Sequence, residues 1–309
     1  WCGFIHANKV PHAILLSGSI GLAKKELAQH MAHIAVCENL SEAMVCNACK
    51  GCQLFNAGNH TDIKTITAEK EVIKVDQIRD LSKNVVLSST RNKYRIIIIE
   101  NAEKMNKASA NALLKTLEEP PKDVIIILTT NEIGRLLPTI KSRCFKIAIA
   151  ADDYSQIRNY ILNLNLGSDD DVDMSLLLAN YAPKIAINIL ENKSLAIVKS
   201  MLSDLNMMVA QQQSVLDVSK NWLKNEQIDY LILIANYFLC MIKYESGLYQ
   251  DRTIFKLSDS DYSKVSDKNK KSLNFIKRIF ILLKRQKTPL KIELLLEELL
   301  IDWQNDFQN

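Results

Sequence analysis

The chain has 309 residues, 48% of them hydrophobic and 24% charged, with a formal net charge of +4. That length and composition predict a globular protein of two or three domains and argue against a disordered or fibrous chain, and so mild a charge is weak evidence for nucleic-acid binding. Seven cysteines do not make a disulfide scaffold, no apolar run approaches the roughly 18 residues of a membrane span, and no secretory leader is visible, so a cytoplasmic location is expected.

The chain opens on Trp1 rather than Met, and a few upstream residues are expected to be missing. Ala13 to Ser17 reads as a strand, and an amphipathic helix pattern runs on to about Val36. Between them lies Gly18-Ser19-Ile20-Gly21-Leu22-Ala23-Lys24-Lys25. Strand, glycine-containing loop and helix form the context of a phosphate-binding loop, whose full pattern is Gly, four residues, Gly, Lys, then Ser or Thr. Gly18 opens the motif and Lys24 holds the lysine position. Ala23 replaces the second glycine, which puts a methyl group where backbone should approach phosphate. Lys25 replaces the hydroxyl that should ligate Mg²⁺, and an ammonium has only donors to offer. The loop reads as a damaged nucleotide site or as a glycine turn without a ligand.

Cys37, Cys46, Cys49 and Cys52 follow, with two overlapping two-residue spacings beside the turn residue Gly51. Clustered cysteines in a cytosolic protein more often bind metal than form disulfides, and four thiolates suit a tetrahedral Zn²⁺ with no open position, hence a structural site. His60 is either a further ligand in an unusual arrangement or a loop residue packed beside the module.

Asp62 to Ile66 reads as a strand, and Asp76 as the N-cap of a helix with Ile78, Leu81 and Val85 on one face. Arg91, Lys93 and Arg95 read as a solvated loop. The isoleucine run Ile96 to Ile99 ends at Glu100 and Asn101, and a helix pattern from Ser109 to Leu117 is closed by Glu118, Glu119, Pro120 and Pro121. The apolar run Val124 to Leu128 ends in Thr129, Thr130 and Asn131, and a short helix delivers Ser142, Arg143 and Cys144 to a further strand. Apolar strands alternating with helices predict a parallel sheet buried on both faces, with ligands beyond the carboxyl ends of its strands. Glu100, Asn101, Thr129, Thr130 and Asn131 fall at those ends.

After Cys144 the pattern is helical only. A helix from about Asp152 to Leu164 precedes an acidic loop, Ser168 to Asp173, and a two-helix unit containing Ala182-Pro183-Lys184. A helical array then runs from about Ser194 to Gln308. Arg252 to Lys287 carries 11 Lys or Arg against 3 Asp, read as a solvated basic face or a DNA- or partner-facing patch.

The run Ala110 to Pro121 with Ser142-Arg143-Cys144 downstream resembles the bacterial clamp-loader branch of the AAA+ ATPases, and the cysteine module resembles the zinc-binding module of that family. The likeness is motif-specific from about Pro11 to Cys144, and beyond that it rests on the order of elements. It implies an α/β RecA-like, P-loop-type domain with an inserted zinc module over residues 1–150, a helical lid over 151–193, and an all-α collar over 194–309 that joins five subunits in a ring. The function implied is loading of a sliding clamp onto primed DNA during replication, as part of a DNA-directed DNA polymerase holoenzyme. Implied partners are the gamma/tau ATPase subunits and the delta subunit, with clamp and DNA reached through the assembly.

An active member of the family needs a Mg²⁺ carboxylate followed by a water-orienting Glu at the end of the isoleucine strand. Those positions read Glu100 and Asn101, and an amide has no anionic state with which to act as a base. With Gly18, Gly21, Lys24, Glu100 and Thr130 as a degenerate nucleotide site, no intrinsic ATP hydrolysis is expected. Thr130 takes the first-sensor position or only braces its strand, and Lys184 takes the second-sensor place. Arg143 matches the family's arginine finger, which completes a neighbouring subunit's ATP site; without the resemblance it is a cation at a helix C-terminus. The competing readings are an active gamma/tau-type ATPase using Lys24 and Glu100, and a zinc-dependent nucleic-acid binder using the basic segment.

Overall fold

A computed structural model of the chain describes residues 1–7, 9–41, 44–85, 94–151, 153–245, 265–285 and 292–308. The chain divides into two compact units, Trp1–Ala150 and Ala151–Asn309. The first unit contains, in order, α1 (Cys2–His6), β1 (Ala13–Ser17), α2 (Lys24–Val36), α3 (Lys50–Asn56), β2 (Ile63–Ile66), α4 (Val75–Val85), β3 (Arg95–Ile99), α5 (Lys107–Glu118), β4 (Val124–Thr130), α6 (Pro138–Arg143) and β5 (Phe145–Ala148). Its five strands form one parallel sheet in the order β2-β3-β4-β1-β5.

Both faces of this sheet are covered, which is why its central strands are apolar through their middle positions. Successive side chains of a strand point to opposite faces. Ala13, Leu15, Ile97, Ile99, Val124, Ile126 and Leu128 meet Ile78 of α4, Leu113 and Leu117 of α5, and Ile140 of α6. Their neighbours Ile14, Leu16, Ile96, Ile98, Ile125 and Ile127 meet Ala28, Met31 and Ala32 of α2. Each buried side chain of this size contributes about 1.5–3 kcal/mol, so the two faces together dominate the stability of the unit.

Several local expectations change. Asp76 is not a cap, because α4 begins one residue earlier; Lys74 precedes it, and the Lys74 backbone N–H donates to Gln77 Oε1 at 2.8 Å, the returning half of a capping box. Arg95 is the first residue of β3, paired in register with Val124, while Arg91, Lys93 and the side chains of Leu81 and Val85 lie outside the described residues. Asn106 caps α5, accepting the Ser109 N–H at 2.8 Å, so that helix begins before the apolar pattern does. Thr129 and Thr130 belong to β4 itself and are buried.

The second unit is helical among the described residues: α7 (Tyr154–Leu162), α8 (Asp169–Leu178), α9 (Pro183–Glu191), α10 (Ser194–Val209), α11 (Val215–Lys224), α12 (Leu231–Glu245), α13 (Val265–Arg285) and α14 (Ile292–Gln308). The acidic stretch Ser168 to Asp173 is a helix start, not a loop. Ser168 caps α8, and Asp169, Asp170 and Asp171 fill its first turn, where negative charge meets the positive end of the helix dipole. Arg158 of α7 pairs with Asp169 and Asp173, and Tyr154 donates to Asp173 at 2.9 Å, which ties α7 to α8. Trp222 is fully buried and donates to Asp204 at 2.8 Å, while Trp303 donates to the Leu205 carbonyl at 3.1 Å and packs against Phe238, Phe275 and Phe307. Of the basic segment, residues 265–285 form α13, where Arg278 pairs with Asp302 at 2.8 Å and Asp306 at 3.6 Å; residues 252–264, 286 and 287 lie outside the described residues. Among the described residues no helix is long and apolar enough to cross a membrane.

Strand β1 ends where β5 closes against it. Ile149 N–H donates to the Ser17 carbonyl at 2.7 Å, and a Cβ on Gly18 would lie 2.3 Å from the Ile149 carbonyl oxygen. That oxygen is backbone and cannot rotate away. Gly18→Ala is therefore expected to destabilise the first unit by about 1–3 kcal/mol in a denaturant titration.

Candidate functional site

Three strand ends and one helix start converge in the first unit. Strand β1 feeds the loop Gly18 to Ala23, β3 ends at Ile99 before Glu100, and β4 ends at Thr130. Parallel neighbours bring these ends to one edge, Ser17 lying opposite Thr130 and Ile99 opposite Leu128.

The loop keeps its shape without its second glycine. Gly21 has φ 82°, and Ala23, the N-cap of α2, has φ 53° in the left-handed region, a strain of about 1–2 kcal/mol for a residue with a Cβ. Lys24 does not project outward. It is buried, and its Nζ donates to the Ser19 carbonyl at 2.6 Å, so the lysine closes its own loop. Burial lowers its pKa, with the charge of Glu103 opposing that shift.

Lys25 is the decisive residue. Its Nζ lies 3.2 Å from Glu100 Oε2; the Lys25 side chain is half-exposed, whereas Glu100 is buried. An ammonium from the second residue of α2 thus neutralises the carboxylate just past β3. Glu100 Oε1 is buried without a hydrogen-bond partner among the described residues, so the pairing with Lys25 is what compensates this charge.

Asn101 is left-handed, at φ 52°, and its side chain is committed elsewhere. Its N–H donates to Thr129 Oγ1 at 3.1 Å, and its Oδ1 accepts from Asn131 Nδ2 at 3.0 Å. Glu103 accepts from both the backbone and side chain of Asn131, at 3.2 and 3.1 Å. This carboxylate was missed in the sequence; its signal was a second acidic residue just past the strand. Thr130 Oγ1 accepts the Glu132 N–H at 3.2 Å, which braces the turn after β4. Lys184 lies in the second unit, exposed in the first turn of α9.

Arg143 ends α6. Its Nη1 donates to the Thr139 carbonyl at 3.1 Å, and its Nη2 lies 2.8 Å from Glu118 Oε1 at the end of α5. The guanidinium is 36% exposed. Cys144 beside it is buried, its thiol pushed up to about 11 by that burial.

The four module cysteines come together, with all four Sγ atoms within 4.8 Å of one another. Sulfurs held about 2.3 Å from a central Zn²⁺ in a tetrahedron stand about 3.8 Å apart. The Cys37–Cys46 separation is 3.7 Å and the Cys46–Cys52 separation 3.9 Å, so the donor set fits such an ion. Backbone N–H groups of Glu38, Cys46, Cys49 and Cys52 point at the sulfurs at 3.3–3.4 Å, while burial pushes the Cys37 and Cys52 thiols up. Amides of Ala48 and Cys49 hold the Cys46 thiol down at about 6. His60 is not in the cluster; its Nδ1 accepts the Asp62 N–H at 3.2 Å. Phe55 of α3 stacks on His33 of α2 at 4.1 Å, which fastens the module to the body of the unit.

Residues 3–153 match the family described as DNA polymerase III, delta subunit. Over 139 residues the chain is 44% identical to DNA polymerase III subunit delta' of Pseudomonas aeruginosa, covering 44% of this chain and 42% of that protein. Through this unit, the chain is similar to delta-prime subunits of DNA polymerase III. The delta' subunit of Escherichia coli is 34% identical over 140 residues, covering 45% of this chain and 42% of its own. The tau subunit of the same bacterium is 36% identical over 159 residues, covering 50% and 25%. The chain thus spans less than half the length of each of these relatives.

Removing the ammonium that compensates Glu100 is expected to cost stability. Lys25→Met leaves a buried carboxylate unpaired, a loss of about 1–3 kcal/mol once the exposure of Lys25 is discounted. Adding Glu100→Gln should recover part of that loss in a double-mutant cycle read by chemical denaturation.

Proposed function

We propose that this chain is the non-hydrolysing delta-prime-type subunit of a bacterial DNA polymerase III clamp loader, supporting ATP-dependent loading of the sliding clamp onto primed DNA. The Lys25–Glu100 ion pair carries the reading, because a tethered ammonium stands where an ATPase of this kind would assemble its divalent cation. Lys24 turned onto Ser19 and Asn101 bound to Asn131 support it, since neither group is free to serve a nucleotide in that arrangement. Similarity of the first unit to delta-prime subunits supports the assembly.

Its contribution to chemistry is Arg143, a finger for the ATP site of a neighbouring gamma/tau-type subunit. A guanidinium is always charged and planar, and suits a transferring phosphoryl group. The delta subunit is a further partner, and clamp and DNA are reached through the assembly. The second unit serves as lid over 151–193 and collar over 194–309. Leu273, Phe280 and Ile281 on α13 and Leu294 and Ile301 on α14 are exposed apolar side chains that support an association surface there. Cys37, Cys46, Cys49 and Cys52 hold a structural Zn²⁺, the soft cation that four thiolates favour. Bound there, the ion would tie the ends of the module together and leave no position for water.

A gamma/tau-type ATPase is the second reading, and the similarity to the Escherichia coli tau subunit favours it. ATP turnover separates the two. The isolated chain should show none, and in the complex with its ATPase partners Arg143→Ala should lower DNA-stimulated turnover by about 10³-fold or more at the affected site. Robust turnover by the isolated chain, abolished by Lys24→Ala, would establish the second reading.

The metal is tested separately. Elemental analysis should find about one zinc per chain, and chelation should lower the unfolding temperature of the first unit without affecting the helical unit. Cys49→Ala should reproduce the loss.

A further inference from the structure

We infer that Glu118 is a positioning residue for Arg143, a role that rests on the finger reading above. Arg143 closes a six-residue helix, and its long side chain would otherwise sample many rotamers. Two acceptors remove that freedom. The Thr139 carbonyl takes Nη1 and Glu118 Oε1 takes Nη2, so the planar group is held at two of its nitrogens. A guanidinium has five N–H donors, and the others meet no acceptor among the described residues, which leaves them available to an incoming anion.

The position of Glu118 is set by the chain around it. Glu119 precedes Pro120, and a residue before proline is disfavoured in helical conformation; α5 accordingly ends at Glu118, with Glu119 at φ −122°, ψ 72°. Leu113 and Leu117 of α5 share one core with Ile140 of α6 and with Cys144. Packing therefore fixes both backbones, and the charged arms span the remaining distance.

The strength of the contact suits this role. Glu118 is 49% exposed and Arg143 36%, and ion pairs so exposed contribute little to stability. The fold does not depend on it. A weak pair can order the guanidinium before docking and still yield when a phosphoryl group competes for the same donors, so the geometry needed for charge stabilisation exists before the neighbour arrives.

The test is DNA-stimulated ATP turnover by the full complex with its ATPase partners, titrated with ATP, for wild type, Glu118→Ala, Glu118→Gln and Arg143→Ala. Glu118→Ala should lower kcat by about three- to thirty-fold with KM for ATP unchanged, because only a transition-state contact is disordered. Glu118→Gln keeps the acceptor and should recover most of kcat, and thermal unfolding should match wild type in both. If Arg143→Ala alters nothing, the finger reading falls. If Arg143→Ala lowers kcat while Glu118→Ala turns over at or above the wild-type rate, the positioning role is overturned and the finger stands. A loss in Glu118→Ala that Gln fails to restore and that tracks a lower unfolding temperature assigns Glu118 to structure instead, and overturns the inference equally.

Discussion

A parallel sheet covered on both faces can carry polar groups only where its strands stop. Every other feature of the first unit follows from that restriction. Isoleucine, valine and leucine fill β1, β3 and β4 because each alternate position faces a helix layer. The first side chains free to be charged or hydrogen-bonded are those around Ser17, Glu100 and Thr130, and parallel pairing sets them side by side. The arrangement concentrates chemistry at one edge whether or not a ligand is used there.

At that edge the charged and polar groups face one another. Lys25 meets Glu100, Glu103 opposes the burial of Lys24, and Asn101, Asn131 and Glu103 bond to one another. Two carboxylate oxygens of this network, Glu100 Oε1 and Glu103 Oε2, stay buried without a hydrogen-bond partner among the described residues. Arg143 stands at the end of α6, held by the Thr139 carbonyl and Glu118.

Much of this was legible in the sequence, for physical reasons that differ by element. Strands β1, β3 and β4 announced themselves as short apolar runs, since burial on both faces tolerates nothing else. The cysteine module was legible because ligand spacing along the chain constrains the distances in space. The pairing of Lys25 with Glu100 was not, because it joins residues remote in sequence and depends on strand order. The same holds for Glu118 and Arg143. Local errors had local causes: Ser168 to Asp173 reads as a polar loop until the dipole of the following helix is considered, and Asp76 is a good cap by type but stands at the second helical position. Arg95 looked like part of a solvated turn, though backbone pairing with β4 already begins there.

The Lys25–Glu100 pair also governs how this chain can drift. Neither member can be replaced alone without stranding a charge or a buried oxygen, so either single change is expected to lower stability. Restoring a glycine at Ala23 would relieve backbone strain yet leave the ammonium on its carboxylate. The two positions are therefore expected to change together or not at all.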